Sequence, residues 1–168
     1  RVPMDTFKIL VPVHEGAYEN WKQFSRALLT HVNPYTQRSY ANEPALAWLA
    51  MINEGNMGNF FRDIRTFPEW KAAWNRWLTA RYSNRAALAS AWKQELKDGE
   101  DPAAGTVELP ERLQQEGLRA RDGIAFLSHT ERELVLKMKR FLRDELGCRA
   151  LVSNASSWTR FGTDQGAR

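Results

Sequence analysis

The residues best placed to do chemistry stand at the end of an apolar run. Ala45 to Ile52 (ALAWLAMI) breaks abruptly into Asn53-Glu54-Gly55-Asn56. A short run that is apolar on both faces and stops at polar residues and a glycine reads as a strand covered on both sides, as in a parallel sheet. A buried helical turn is the competing reading. A carboxylate directly after such a strand is partly desolvated. That raises its pKa and suits Glu54 to work as a general acid near neutral pH. Asn53 beside it can hold a hydroxyl or orient a substrate. Taken alone the pair is a weak signal, because an acid at a strand end equally caps the next element.

A second apolar run, Ala150-Leu151-Val152, ends in Ser153-Asn154-Ala155-Ser156-Ser157-Trp158. In α/β folds ligands gather at the carboxyl ends of strands, which makes Asn154 and Trp158 candidate binding residues. Trp158 reads either as a stacking platform for a sugar ring or as a packing residue. Asn154-Ala155-Ser156 also fits the glycosylation sequon, a triplet that arises often by chance.

The remaining candidates are thinner. His14, His31 and His129 are scattered and lack ligand spacing, so no metal is expected. His31 lies on a helical apolar stripe and reads as a core residue. Cys148 follows a helix-stop glycine and precedes the second strand, which suggests burial rather than nucleophilic work. No Gly-rich phosphate loop, G-x-S-x-G elbow or P-loop is present, and no cofactor is implied.

These positions need elements to hold them. Ile9 to Val13 (ILVPV) reads as extended, with Pro12 limiting it to an edge or loop. Trp21, Phe24, Leu28 and His31 or Val32 recur at helical steps and predict a helix over 18–32, stopped by Asn33-Pro34. Pro68-Glu69 opens a helix carrying Trp70, Trp74, Trp77, Leu78 and Tyr82, an aromatic stripe of the kind that forms a core. A third helix runs to about Leu96. After an Asp-Gly and Pro-rich loop and a possible short helix beyond Pro110, a long helix covers 123–146. Ser128 and Glu131 have capping-box spacing and offer an alternative start or kink. Gly147 stops that helix. Strands and helices in this order predict α/β alternation with parallel crossovers.

Composition narrows the class. The 168 residues are 43% hydrophobic and 26% charged, a globular balance that excludes wholesale disorder. No apolar run approaches the ~18 residues of a membrane span. One cysteine excludes an internal disulfide framework. The formal charge of +4 and pI of 9.4 raise the thought of nucleic acid. However, residues 101–147 carry eight basic and nine acidic side chains, interleaved as on solvated helix faces. No nucleic-acid partner is expected.

Several stretches together resemble one family. Asn20-Trp21-Lys22-Gln23-Phe24, then Leu28 to Thr36 (LLTHVNPYT), Glu43-Pro44-Ala45-Leu46-Ala47 and Ile52-Asn53-Glu54 look like one continuous signature. It is similar to that of bacterial clan A glycoside hydrolases, near the cellulase-like family five. Arg81-Tyr82 through Ala91-Trp92 and Phe141 to Gly147 are also similar, so the resemblance covers nearly the whole chain. It implies an α/β fold, a (β/α)8 TIM barrel, and a retaining mechanism on β-glycosidic bonds of an oligo- or polysaccharide. By the family pattern Glu54 matches the acid/base glutamate after the fourth strand. Asn53 matches the asparagine that contacts the sugar beside the scissile bond.

The same pattern places residues 45–53 as the fourth strand and 150–154 as the fifth. Residues 1–17 then belong to the loop after the third strand. The nucleophile glutamate of the seventh strand has no counterpart here, since the only acid after Glu145 is Asp164, in a polar tail. A barrel typically takes ~250 residues. The expectation is therefore an incomplete barrel, the central part of a catalytic domain, prone to instability or aggregation alone because its sheet edges are open. Arg1 in place of an initiating Met fits such a piece. Two rival readings stand beside it. One is a non-catalytic carbohydrate-binding or structural barrel that keeps the pattern. The other is a basic helical nucleic-acid-binding protein.

Overall fold

A computed structural model describes residues 3–93 and 95–154. In chain order the elements are α1 (Met4–Leu10), α2 (Glu15–Leu29), β1 (Trp48–Ala50), α3 (Phe61–Ile64), α4 (Pro68–Tyr82), α5 (Arg85–Trp92), α6 (Leu118–Arg140) and β2 (Leu151–Ser153). Short 3-10 turns occupy Tyr40–Asn42 and Met57–Phe60, and a π-helical turn, Phe141–Glu145, extends α6. The chain divides into two compact units. Among the described residues, one contains 3–56 and 130–154 and the other 57–93 and 95–129.

The first unit holds the sheet. β1 and β2 pair in parallel, with Trp48 opposite Leu151, Leu49 opposite Val152 and Ala50 opposite Ser153. Met51 N–H donates to the Ser153 carbonyl at 2.8 Å and Leu151 N–H to the Ala47 carbonyl at 3.0 Å, one ladder bond at each end. α2 packs nearby on a face of Tyr18, Trp21, Ser25 and Leu29. His14 caps it, its imidazole Nδ1 accepting from Ala17 N–H at 3.2 Å, and Glu15 sits in the positive first turn. Trp21 stacks on Tyr18 and meets the edge of Phe141. Lys22 and Arg26 both lie over the Phe141 ring and both pair with Glu145. Beyond the π turn, Gly147 takes φ +64°, a left-handed stop that residues with a Cβ resist. The Arg143 guanidinium then bonds the carbonyls of Cys148 and Ala150 and so fixes the approach to β2.

The second unit is built on indoles. Phe67 precedes α4 in extended backbone and Pro68 takes its first turn, where the missing N–H has no cost. Trp70, Trp74 and Leu78 recur at four-residue steps and are fully buried. Trp74 stacks on Trp77 and Trp92, and Phe126 of α6 packs among them. Rings of this size each bury roughly 150–250 Å², so this cluster dominates the unit's stability. Asn75 stitches α4 to the following loop. Its side chain accepts from Val107 N–H at 3.0 Å and donates to the Val107 carbonyl at 2.9 Å. The Glu95 carboxylate accepts from Leu118 and Arg119 N–H and caps α6.

This architecture corrects the expected incomplete (β/α)8 barrel. The chain is mainly helical, and the described residues hold only two strands of three residues in one small sheet. A barrel needs helices laid onto a closed sheet. Here the tryptophan helices pack on one another instead. The strands are not covered on both sides either: Trp48 is 56% and Leu151 71% exposed. The parallel pairing is the part of the α/β reading that the two apolar runs do adopt.

Local corrections have local causes. Ile9 and Leu10 end α1 rather than forming an extended segment. Phe7, Leu10 and Val11 have helical spacing, and Pro12 falls after the last helical N–H is used. α6 starts at Leu118, five residues before the expected 123, and runs on through Ser128. His31 is exposed and stacks against Tyr40 rather than entering the core. Residues 111–116 after Pro110 form turns, not a short helix.

Candidate functional site

The candidate acid sits on the turn that leaves β1. The chain passes from Ala50 through buried Met51 and Ile52 to Asn53 and Glu54, both exposed. Trp21 of α2 anchors this exit, its indole Nε1 donating to the Met51 carbonyl at 2.8 Å. Glu54 adopts φ +54°, in the left-handed region that a side chain with a Cβ enters at a cost of order 1 kcal/mol or more. Gly55 follows because the turn closes on itself. A Cβ there would stand 2.9 Å from Ile52 Cγ2.

This geometry presents the Glu54 carboxyl outward at a fixed, strained corner. The burial that the sequence reading expected around it is absent, because Glu54 is open to solvent. Apolar cover ended at Ile52, two residues earlier.

Parallel pairing brings the second expected residue to the same end of the sheet. Ala50 and Ser153 are cross-strand partners, so the segments after them leave in the same direction. Asn154 is therefore at the same sheet end as Asn53 and Glu54. It is only 6% exposed, and among the described residues neither its amide oxygen nor its amide nitrogen has a hydrogen-bond partner. Ser153 Oγ is likewise unsatisfied. Buried amides without partners are uncommon and costly, which marks this position as one that a bound polar group would satisfy. Trp158 lies outside the described residues.

An apolar groove of about 1170 Å³ runs beside this site in the same unit. Phe7 and Leu10 of α1, Phe24 and Leu28 of α2, and residues 49–53 form its walls. Asn53 is thus a wall of the groove as well as a neighbour of Glu54. The sequence reading missed this feature. Phe24 and Leu28, which predict the helix by their spacing, line the groove, and Phe24 is 67% exposed.

The other ionisable groups have structural partners. In the second unit Arg119 pairs with Glu100 through both guanidinium nitrogens and lies over the Trp92 ring. Burial of Glu100 opposes its ionisation. Hydrogen bonds from Arg119 and from the backbone N–H groups of Lys97 and Glu108 outweigh that and hold its carboxyl below the ordinary value. Asp122 accepts from Tyr82 Oη at 2.5 Å and from Trp92 Nε1 at 2.7 Å. Burial, then the bond to Asp122, raises the Tyr82 phenol. Tyr18 in the first unit is raised by burial and by nearby Glu145. Among the described residues no group of three His, Cys, Asp or Glu could hold a metal, and no helix is long and apolar enough to cross a membrane. Cys148 is buried.

No family model, curated protein or solved structure matches the chain.

Proposed function

We propose that Asn53-Glu54 is the acid/base half of a retaining β-glycosidase centre. Glu54 is the general acid/base, and Asn53 holds the sugar hydroxyl beside the scissile bond. The observation that carries this reading is the turn itself, an exposed carboxyl fixed at φ +54° where β1 ends. Non-glycine residues held in that region cluster at functional sites. Two features support it further. The LLTHVNPYT and Ile52-Asn53-Glu54 stretches resemble the cellulase-like hydrolases. The unsatisfied Asn154 amide lies at the same end of the sheet, where a sugar hydroxyl would complete it.

The chemistry proceeds in two displacements. A carboxylate attacks the anomeric carbon while the bond to the leaving oxygen breaks, and Glu54 gives that oxygen its proton. The ionised Glu54 then takes a proton from water, whose oxygen displaces the carboxylate from the sugar. Sugar covering the exposed Glu54 carboxyl supplies the desolvation that an acid of this kind needs. The proposal assigns the nucleophile to a residue outside these 168, within about 5–5.5 Å of Glu54 in the complete centre.

The test is Glu54→Gln in the longer polypeptide that supplies the nucleophile. Activity on β-glycosides with poor leaving groups is expected to fall by about 10²–10⁴, the usual contribution of general acid catalysis. Activated aryl glycosides, which leave without a proton, should be affected far less in the first step. Equal loss on both substrates would contradict the assignment.

A further inference from the structure

We propose that Asp98-Gly99 is a self-modification site, at which aspartate isomerises to isoaspartate. The other Asp-Gly pair of the chain, Asp122-Gly123, is locked against the same reaction by its packing. The proposal is independent of the glycosidase reading and concerns the second unit alone.

The chemistry asks three things of a residue pair. The amide nitrogen of the second residue must be free to attack. The carboxyl of the first must be free to turn onto it. No side chain may crowd the ring that forms, a condition glycine meets by having no Cβ. The sequence holds Asp-Gly at two places only, residues 98–99 and 122–123.

Asp98-Gly99 meets all three. Both residues are exposed. They form the middle of a turn closed by Glu100 N–H on the Lys97 carbonyl at 3.2 Å, with Gly99 at φ +78°. That bond occupies neither reacting group. Among the described residues no hydrogen bond uses the Asp98 carboxyl or the Gly99 N–H. A Cβ on Gly99 would meet nothing within 4 Å, so the ring has open space.

Asp122-Gly123 fails each of them. Both residues are buried inside α6, and the Gly123 N–H belongs to the helical ladder. The Asp122 carboxylate is fixed on other partners, accepting from Tyr82 Oη at 2.5 Å and from Trp92 Nε1 at 2.7 Å. Pro110 Cγ stands 2.6 Å from where a Cβ on Gly123 would lie, which leaves no room for a ring.

Water is the only reagent the steps need. The Gly99 nitrogen attacks Cγ of the protonated Asp98 carboxyl. The N–Cγ bond forms, the Cγ–OH bond breaks, and the hydroxyl leaves with the amide proton as water. A second water then opens the succinimide. Cleavage between nitrogen and Cγ restores aspartate. Cleavage between nitrogen and the main-chain carbonyl carbon leaves the chain running through Cγ, as isoaspartate.

Isoaspartate lengthens the main chain by a methylene group inside the turn. The turn ends on Glu100, whose carboxylate accepts from Lys97 N–H at 2.8 Å and Glu108 N–H at 3.1 Å and pairs with Arg119. Ageing at one exposed dipeptide therefore loosens the buried Glu100–Arg119 pair.

The chain is aged in mildly acidic buffer and digested, and the same-mass aspartyl and isoaspartyl peptides are separated and assigned by fragmentation. Isoaspartate at 98 should exceed that at 122 by about tenfold or more, since an exposed turn opens freely and a buried helix does not. In guanidinium the two sites should react at similar rates. The aged chain should melt at a lower temperature than the fresh one. Asp98→Glu, whose imide would need a larger ring, should age without that drop. No isoaspartate at 98, similar amounts at both sites in the folded chain, or the same excess at 98 in guanidinium would overturn the proposal. An equal drop in aged Asp98→Glu would overturn the link to the Glu100–Arg119 pair.

Discussion

The indole of Trp21 hydrogen-bonds the main-chain carbonyl of Met51 at 2.8 Å, tying the middle of α2 to the exit of β1. Both residues are buried. The carbonyl lies two residues before Asn53, so the bond fixes where the Asn53-Glu54 turn begins. Trp21→Phe keeps an apolar ring but strands that carbonyl, a loss of roughly 1–3 kcal/mol in denaturant unfolding. It should also broaden or shift the Asn53 and Glu54 amide signals. An unchanged turn spectrum would show that other contacts hold the corner.

Acid should attack the second unit through Glu100. Its carboxyl titrates below the ordinary value of 4.5 in the folded chain. The unfolded state therefore binds the proton first as pH falls. Stability from this group is complete above about 4.5 and is lost as pH drops through the folded value. Glu100→Gln leaves Arg119 buried without its counter-ion, at a cost of about 3–5 kcal/mol near neutral pH. The variant's stability should also fall less steeply between neutral and acid conditions than the parent's. Parallel pH profiles for the two proteins would exclude this role.

Asn154→Leu separates a structural amide from a binding one. Leucine has similar shape and removes two buried polar atoms that lack partners. Burying such groups costs about 1–3 kcal/mol, so the thermal midpoint should hold or rise. Under the proposed function, glycoside hydrolysis should fall through KM. A drop in midpoint with unchanged KM would make the residue structural.

Gly123 should resist substitution inside a helix. Alanine there gains roughly 0.8–1 kcal/mol of helix propensity. Its Cβ, however, would stand 2.6 Å from Cγ of Pro110. Overpacking of that kind typically costs 1–3 kcal/mol and leaves a net loss. A melting temperature higher in Gly123→Ala than in the parent would show that the Pro110 loop yields freely.

Much of the local structure was legible. Pro68 with Glu69 placed the start of α4, and the four-residue tryptophan spacing named its buried face. Gly147 marked the end of the long helix, and the two apolar runs did become paired strands. α6 begins at Leu118, five residues before the expected 123, and carries Gly123 within its first turns. Gly123 packs closely on Pro110, a contact that sequence spacing does not express. The same blindness applied to the site. The break in an apolar run points to Asn53 and Glu54 as candidates, but their exposure depends on how few elements cover so short a sheet. Neither the groove between α1, α2 and the exit of β1 nor the Arg119–Glu100 pair has a local signal, since each joins residues distant in sequence. The barrel expectation failed at that level too, where helix packs on helix rather than on a sheet.

Chemical rescue tests the role of Glu54 most directly. Glu54→Ala, in the polypeptide carrying the proposed nucleophile, is assayed on an activated aryl β-glycoside, with and without azide. If Glu54 is the acid/base, azide needs no base to attack the glycosyl-enzyme, so turnover should recover and the product should be the β-glycosyl azide. No recovery, or an azide product of α configuration, would contradict a retaining mechanism in which Glu54 moves the proton.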